Sequence, residues 1–87
     1  MTNYYVALQT KSQAFLLEQR MAHQGIKCEL ISIPREIMKD LCNMGVRISE
    51  DVYPKAVQLV KNSGLPGCKL YKETLFSNKR IYDEIPL

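Results

Sequence analysis

The chain has 87 residues, a formal net charge of +3 and 46% hydrophobic residues, which bounds it to one ordinary globular domain. A chain of this length buries only about 60–65% of the surface its unfolded form exposes, so its core is modest. No run of about 18 apolar residues exists to form a transmembrane helix, and the N-terminus lacks the basic-then-apolar layout of a signal peptide, so a cytoplasmic protein with no membrane association is expected.

The first strand is expected over residues 4–9, YYVALQ, with Val6 and Leu8 on one face. Thr10 and Gln13 then form a T-x-x-Q capping pattern for a helix. Ala14, Leu17 and Met21 recur at helical spacing, Phe15 and Ala22 are expected to widen that stripe, and Gly25 ends the helix. Glu18 falls inside the apolar arc, where a carboxylate is more often paired or snorkelled than catalytic. Residues 27–33, KCELISI, read as a second strand closed by Pro34, which cannot donate to a ladder.

Residues 35–45 fit either a short helix or a structured loop, and Gly45 is expected to break or turn the chain. Residues 46–49, VRIS, read as a third strand with Val46 and Ile48 on one side and Arg47 on the other. A second helix is expected over residues 49–63. Ser49 or Asp51 can cap it, Pro54 belongs in its first turn, and Val52, Ala56, Leu59 and Val60 form its buried stripe. Residues 68–73, CKLYKE, read as the fourth strand.

The order βαββαβ predicts an α+β, ferredoxin-like sandwich over residues 1–73: a four-stranded antiparallel sheet with two helices on one face and the other face uncovered. Residues 74–87 remain as a C-terminal extension. It carries Leu75, Phe76, Ile81, Tyr82 and Ile85, apolar enough to pack on the open sheet face or on a second subunit.

Because that fold hosts many unrelated functions, function has to come from a site. Lys55, Lys61, Lys69, Lys72, Lys79 and Arg80 concentrate positive charge late in the chain, but without the dense basic stripe and stacking aromatics of a nucleic-acid binder. His23 is the only histidine and lies opposite the apolar stripe, so no Cys–His pair or serine triad is visible. There is no glycine-rich phosphate loop and no ligand spacing for a metal, and no cofactor is expected. The three cysteines, Cys28, Cys42 and Cys68, are odd in number and widely spaced, with no C-x-x-C. That argues against a disulfide framework and fits a reducing compartment.

Cys28 and Cys68 fall in expected strands and read as packing residues. Cys42 sits in a charged connection, where packing explains less. A thiol attacks only as thiolate, and nearby cations favour that form. Arg35, Lys39 and Arg47 are the cations near Cys42 in sequence, and Gly45 could let the backbone approach a ligand. Arginines of this kind are more often surface charges than anion ligands.

The run from residue 4 through PREI at residues 34–37, then a cysteine, then GVRI and AVQLVKNSG, resembles the bacterial selenium/sulfur carrier protein-like family over about residues 3 to 73. The most specific part is the Pro-Arg-Glu-Ile step followed by a cysteine and an arginine-bearing strand. Family members typically place glycine directly after the cysteine and small hydroxyl residues before it. Here Asn43 and Met44 precede Gly45, and residues 38–41 are MKDL. The resemblance implies a carrier rather than a turnover enzyme, holding sulfur or selenium on Cys42 as a persulfide or perselenide. Arg35, Arg47 and Lys39 would stabilise the anionic forms. The implied partners are a donor such as a cysteine desulfurase and an acceptor enzyme. The rival reading is a non-catalytic binding or homodimerising module with a small-anion site, in which Cys42 only fills space. A TusA-like sulfur-transfer protein is the weaker third reading, because the C-P-x-P step is missing.

Overall fold

The computed structural model describes residues 2–33, 44–64 and 67–86. In chain order the elements are strand β1 (Asn3–Ala7), helix α1 (Lys11–His23), strands β2 (Cys28–Ser32) and β3 (Met44–Ser49), helix α2 (Tyr53–Asn62), and strands β4 (Lys69–Phe76) and β5 (Lys79–Ile85). The strands form one antiparallel sheet in the order β2-β3-β1-β4-β5. The fold is α+β, with five strands among the described residues where the sequence predicts four. The first four follow the order expected of βαββαβ, and the fifth comes from residues read as an extension.

Helix α1 starts where its side chains compete for its first amides. Thr10 Oγ1 accepts from the Gln13 N–H at 3.1 Å, and Gln13 Oε1 accepts from the Gln9 N–H at 3.1 Å. The Gln13 amide therefore reaches one residue further back than in the usual capping box. The helix ends in a Schellman motif: the Gly25 N–H donates to the Ala22 carbonyl and the Ile26 N–H to the Met21 carbonyl, with Gly25 at φ +73°. The motif folds Ile26 back onto Met21, and both are buried. Ala14, Leu17 and Met21 are the buried face, as expected. Phe15 and Ala22 do not widen it. They lie on the flank that turns away from the sheet, and Phe15 is 50% exposed. Their place against the sheet is taken by Ile26.

A 3-10 turn at Glu50–Val52 precedes α2, so the helix proper begins at Tyr53, with Pro54 in its first turn. The Ser49 hydroxyl donates to the Asp51 carboxylate instead of capping the helix. Ala56 and Val60 are buried, with Val52 and Leu59 packed beside them. The main core unites both helices with one face of the sheet: Tyr4, Val6 and Leu8, Val46 and Ile48, and Leu70. Tyr53 stacks on Tyr4 with ring centroids 3.8 Å apart, tying the start of α2 to β1.

Side chains also cluster on the opposite face, which carries no helix among the described residues. Tyr5, Ala7 and Ile33 are buried there in a second cluster with Ile31, Tyr71 and Tyr82. Strand β1 lies between β3 and β4 and is buried on both sides, so it reads as a nearly continuous apolar run. Gly45 has a specific role on this face. It lies inside β3, paired with Ala7 and Ile31, and it is not a turn residue. A Cβ there would sit 2.4 Å from the Val6 carbonyl oxygen and 2.4 Å from Ile33 Cδ1. The missing side chain lets Ile33 fold over the strand.

Candidate functional site

Of the residues singled out from sequence, Arg35, Lys39 and Cys42 lie outside the described residues. The structure places Arg47, Gly45, Cys28 and Cys68. Arg47 projects from β3 onto the face opposite the helices, directly across from Glu29 on β2 and Tyr5 on β1. Its guanidinium forms an ion pair with the Glu29 carboxylate, and both side chains are partly open to solvent. Arg47 stands three residues into β3, about 10 Å along the strand from Met44. It is thus placed in mid-sheet, with an anionic partner supplied by this chain.

A hollow of about 830 Å³ at the β2 edge is lined by Glu18, Lys27, Cys28, Glu29, Arg47 and Ser49, among others. It wraps the sheet edge: Cys28 faces the helices and Arg47 the other side, and the thiol is not in a form suited to nucleophilic chemistry. Cys28 packs against the main core, and burial, followed by the Glu18 charge, pushes its thiol above the ordinary value. Both effects penalise the thiolate. Cys68 also packs against the core, and the two are thiols with no disulfide between them. Among the described residues, no group of three or more His, Cys, Asp or Glu side chains is arranged to hold a metal ion.

His23 ends α1 on the solvent side. With Arg20, Ile26, Pro54, Leu59 and Ser63 it lines a groove of about 820 Å³ between the two helices. Arg20 Nη1 donates across that groove to the Ser63 carbonyl at 3.0 Å, joining the C-terminal ends of α1 and α2.

A polar cluster missed in the sequence sits on the second face. Glu73 on β4 is only 7% exposed. The Tyr5 hydroxyl donates to Glu73 Oε2 at 3.0 Å, and Asn3 Nδ2 donates to Oε1 at 3.4 Å. Tyr82 stands directly across from Glu73, and its ring meets Tyr5 edge-on at 6.0 Å between centroids. Burial and then the Glu73 carboxylate push the Tyr82 hydroxyl up to about 12 and raise Tyr5 as well. A buried carboxylate is tolerated when its oxygens are hydrogen-bonded, and Tyr5 and Asn3 provide that. The cluster locks β1, β4 and β5 together. Its sequence signal is faint: a single acidic residue whose strand parity puts it on the tyrosine side of KLYKET.

No helix among the described residues is long and apolar enough to cross a membrane. A family model described as "Putative Se/S carrier protein-like" matches residues 3–72. No curated protein and no solved structure matches the chain. The match spans most of the sequence, and the chain belongs to this Se/S carrier protein-like family.

Proposed function

We propose that this member of the family carries sulfur, or selenium in its place, on the Cys42 thiol as a persulfide. The observation that carries the reading is the family match, which runs through Cys42 from residue 3 to residue 72. The two other thiols support it from the negative side. Cys28 and Cys68 pack against the core, and burial and Glu18 hold the Cys28 thiol protonated.

The chemistry is thiol–persulfide exchange. The Cys42 thiolate attacks the terminal sulfur of a donor persulfide. A new S–S bond forms on Cys42 as the donor S–S bond breaks, and the donor departs as a thiolate that takes up a proton. No net oxidation occurs, so no further oxidant is required. Transfer to an acceptor thiol is the same exchange in reverse. Arg35 and Lys39 supply positive charge close to Cys42 in sequence and favour the thiolate and the persulfide anion. Arg47 contributes less, because its charge is shared with Glu29.

The test is to incubate the reduced protein with a cysteine desulfurase and cysteine, or with a small-molecule persulfide, and locate the label by peptide mass spectrometry. One added sulfur on the Cys42 peptide, lost in Cys42→Ser, is the expected result. Label on Cys28 or Cys68, or no label from either donor, overturns the reading.

A further inference from the structure

Strand β5 is the outer strand of the sheet, and Lys79, Arg80, Ile81, Asp83 and Glu84 along it are all exposed. Among the described residues, nothing pairs with its outer hydrogen-bonding edge. The hairpin shows which residues own that edge. Phe76 pairs with Lys79 across a two-residue turn, Ser77-Asn78, with φ of +50° and +67°. This is a type I′ geometry, in which the closing pair is hydrogen-bonded. Bonding alternates along an antiparallel ladder, so Lys79, Ile81, Asp83 and Ile85 bond inward to β4. Arg80, Tyr82 and Glu84 direct their N–H and C=O groups outward.

An unpaired edge is ordinarily protected by charge, usually lysine. Here the charges are sorted rather than uniform: Lys79 and Arg80 on one side of Tyr82, Asp83 and Glu84 on the other. An approaching strand of arbitrary sequence gains little from that order. A second copy of the same strand, running antiparallel, meets its own complement.

We propose that β5 is a homodimerisation edge, pairing antiparallel with β5 of a second copy about a two-fold axis at Tyr82. A two-fold axis between antiparallel strands stands normal to the sheet, so facing residues must share a face in both copies. Centring on Tyr82 satisfies this and is the register that overlaps the strand along its whole length. Arg80 then faces Glu84 of the other copy, twice, and Lys79 lies diagonal to Asp83. The outward groups of Arg80, Tyr82 and Glu84 all find partners. Ile81 and Phe76, 45% and 67% exposed, stand on the helix-bearing side of the hairpin and lose water as the copies meet. The product is one continuous ten-stranded sheet. This inference does not depend on the chemistry proposed for Cys42.

The test uses the full chain in sedimentation velocity across a dilution series up to about 0.5 mM, within reach of a modest association constant. The wild-type protein is expected to dimerise, more weakly as salt rises. Arg80→Glu and Glu84→Arg each replace two cross-strand attractions by two repulsions. Each is expected to raise the dimer dissociation constant roughly 10- to 100-fold. An equimolar mixture of the two variants restores every opposite-charge pair and is expected to form a heterodimer that neither variant forms with itself. Both positions are exposed, and circular dichroism confirms that each variant is folded. A wild-type protein monomeric throughout the series overturns the proposal, as does a dimer indifferent to Arg80→Glu. Variants that fail to associate when mixed overturn it too.

Discussion

Gly45→Ala separates a glycine needed for space from one needed for conformation. The added Cβ would lie 2.4 Å from the Val6 carbonyl oxygen, whereas real Cβ contacts do not fall below 3.0 Å. About 0.6 Å must therefore open between neighbouring strands at the centre of the sheet, in an interior that yields little. Ile33 cannot absorb it by rotating, because its Cγ1 is also only 2.6 Å away and the residue is 1% exposed. Overpacking of this kind costs about 1–3 kcal/mol, and the lost freedom of the unfolded chain returns about 0.4–1 kcal/mol. The expected net destabilisation is about 1.3 kcal/mol, which lowers the melting temperature of a domain this size by roughly 8 °C. Gly25→Ala is the control. Nothing lies within 4 Å of its Cβ, and only its φ of +73° is costly, so about 1–2 kcal/mol is expected without any change in the sheet. Urea denaturation of both variants, with amide exchange across β1 and β3, measures this. A Gly45→Ala protein as stable as the wild type, with unchanged exchange in those strands, would refute the packing argument.

Three further outcomes are expected. The Tyr82 proton, held to about pH 12 in the fold and released near pH 10.0 in the unfolded chain, stabilises the protein below that lower value. Stability is therefore lost as pH rises from about 10 to about 12, and Tyr82→Phe should flatten that part of the urea midpoint–pH profile, leaving the contributions of Tyr5, Tyr53 and Cys28, which are also raised. Thr10→Ala removes the hydroxyl that accepts from the Gln13 N–H and should cost about 1 kcal/mol in thermal or urea unfolding. The Cys28 thiol, raised by burial and Glu18, should alkylate more slowly at neutral pH than an unstructured cysteine peptide, and Glu18→Gln should narrow the gap.

Most of the fold could be read from local chemistry. The Thr10 cap, the Gly25 stop and the 14–17–21 stripe fix α1 without tertiary information, and Pro54 fixes the start of α2. Strand β5 escaped because its turn carries no glycine. Ser77 and Asn78 both adopt positive φ, which asparagine tolerates but serine rarely signals. Its charged, irregular pattern also lacks the alternation of a half-buried strand, since an edge strand beyond the helices has little apolar demand on either side. Glu73 was invisible for a different reason. Its burial depends on the β4–β5 register, which brings Tyr82 opposite it, and no local pattern specifies that pairing.

The same limit governs Arg47, and it bears on how Cys42 could be activated. Strand parity correctly sends Arg47 away from Val46 and Ile48, but only the β2–β3 register shows that Glu29 waits across from it. Measured from Met44, the described residue nearest Cys42 in sequence, Arg47 is three strand residues away. A unit charge at about 10 Å in water contributes about 0.4 kcal/mol, before Glu29 cancels part of it. For a thiol held no nearer than Met44, that is a shift of about 0.3 of a pKa unit and a change of about twofold in the thiolate fraction. Arg47→Gln should therefore leave the alkylation rate of Cys42 within about twofold of wild type, while Arg35→Gln combined with Lys39→Gln slows it further. Single-site alkylation followed by mass spectrometry reads both. A loss of more than about fivefold in Arg47→Gln alone would mean that the connection between β2 and β3 carries the thiol back over the sheet to the guanidinium. Arg47 would then be shared between Glu29 and the chalcogen, and Glu29→Gln would speed the reaction.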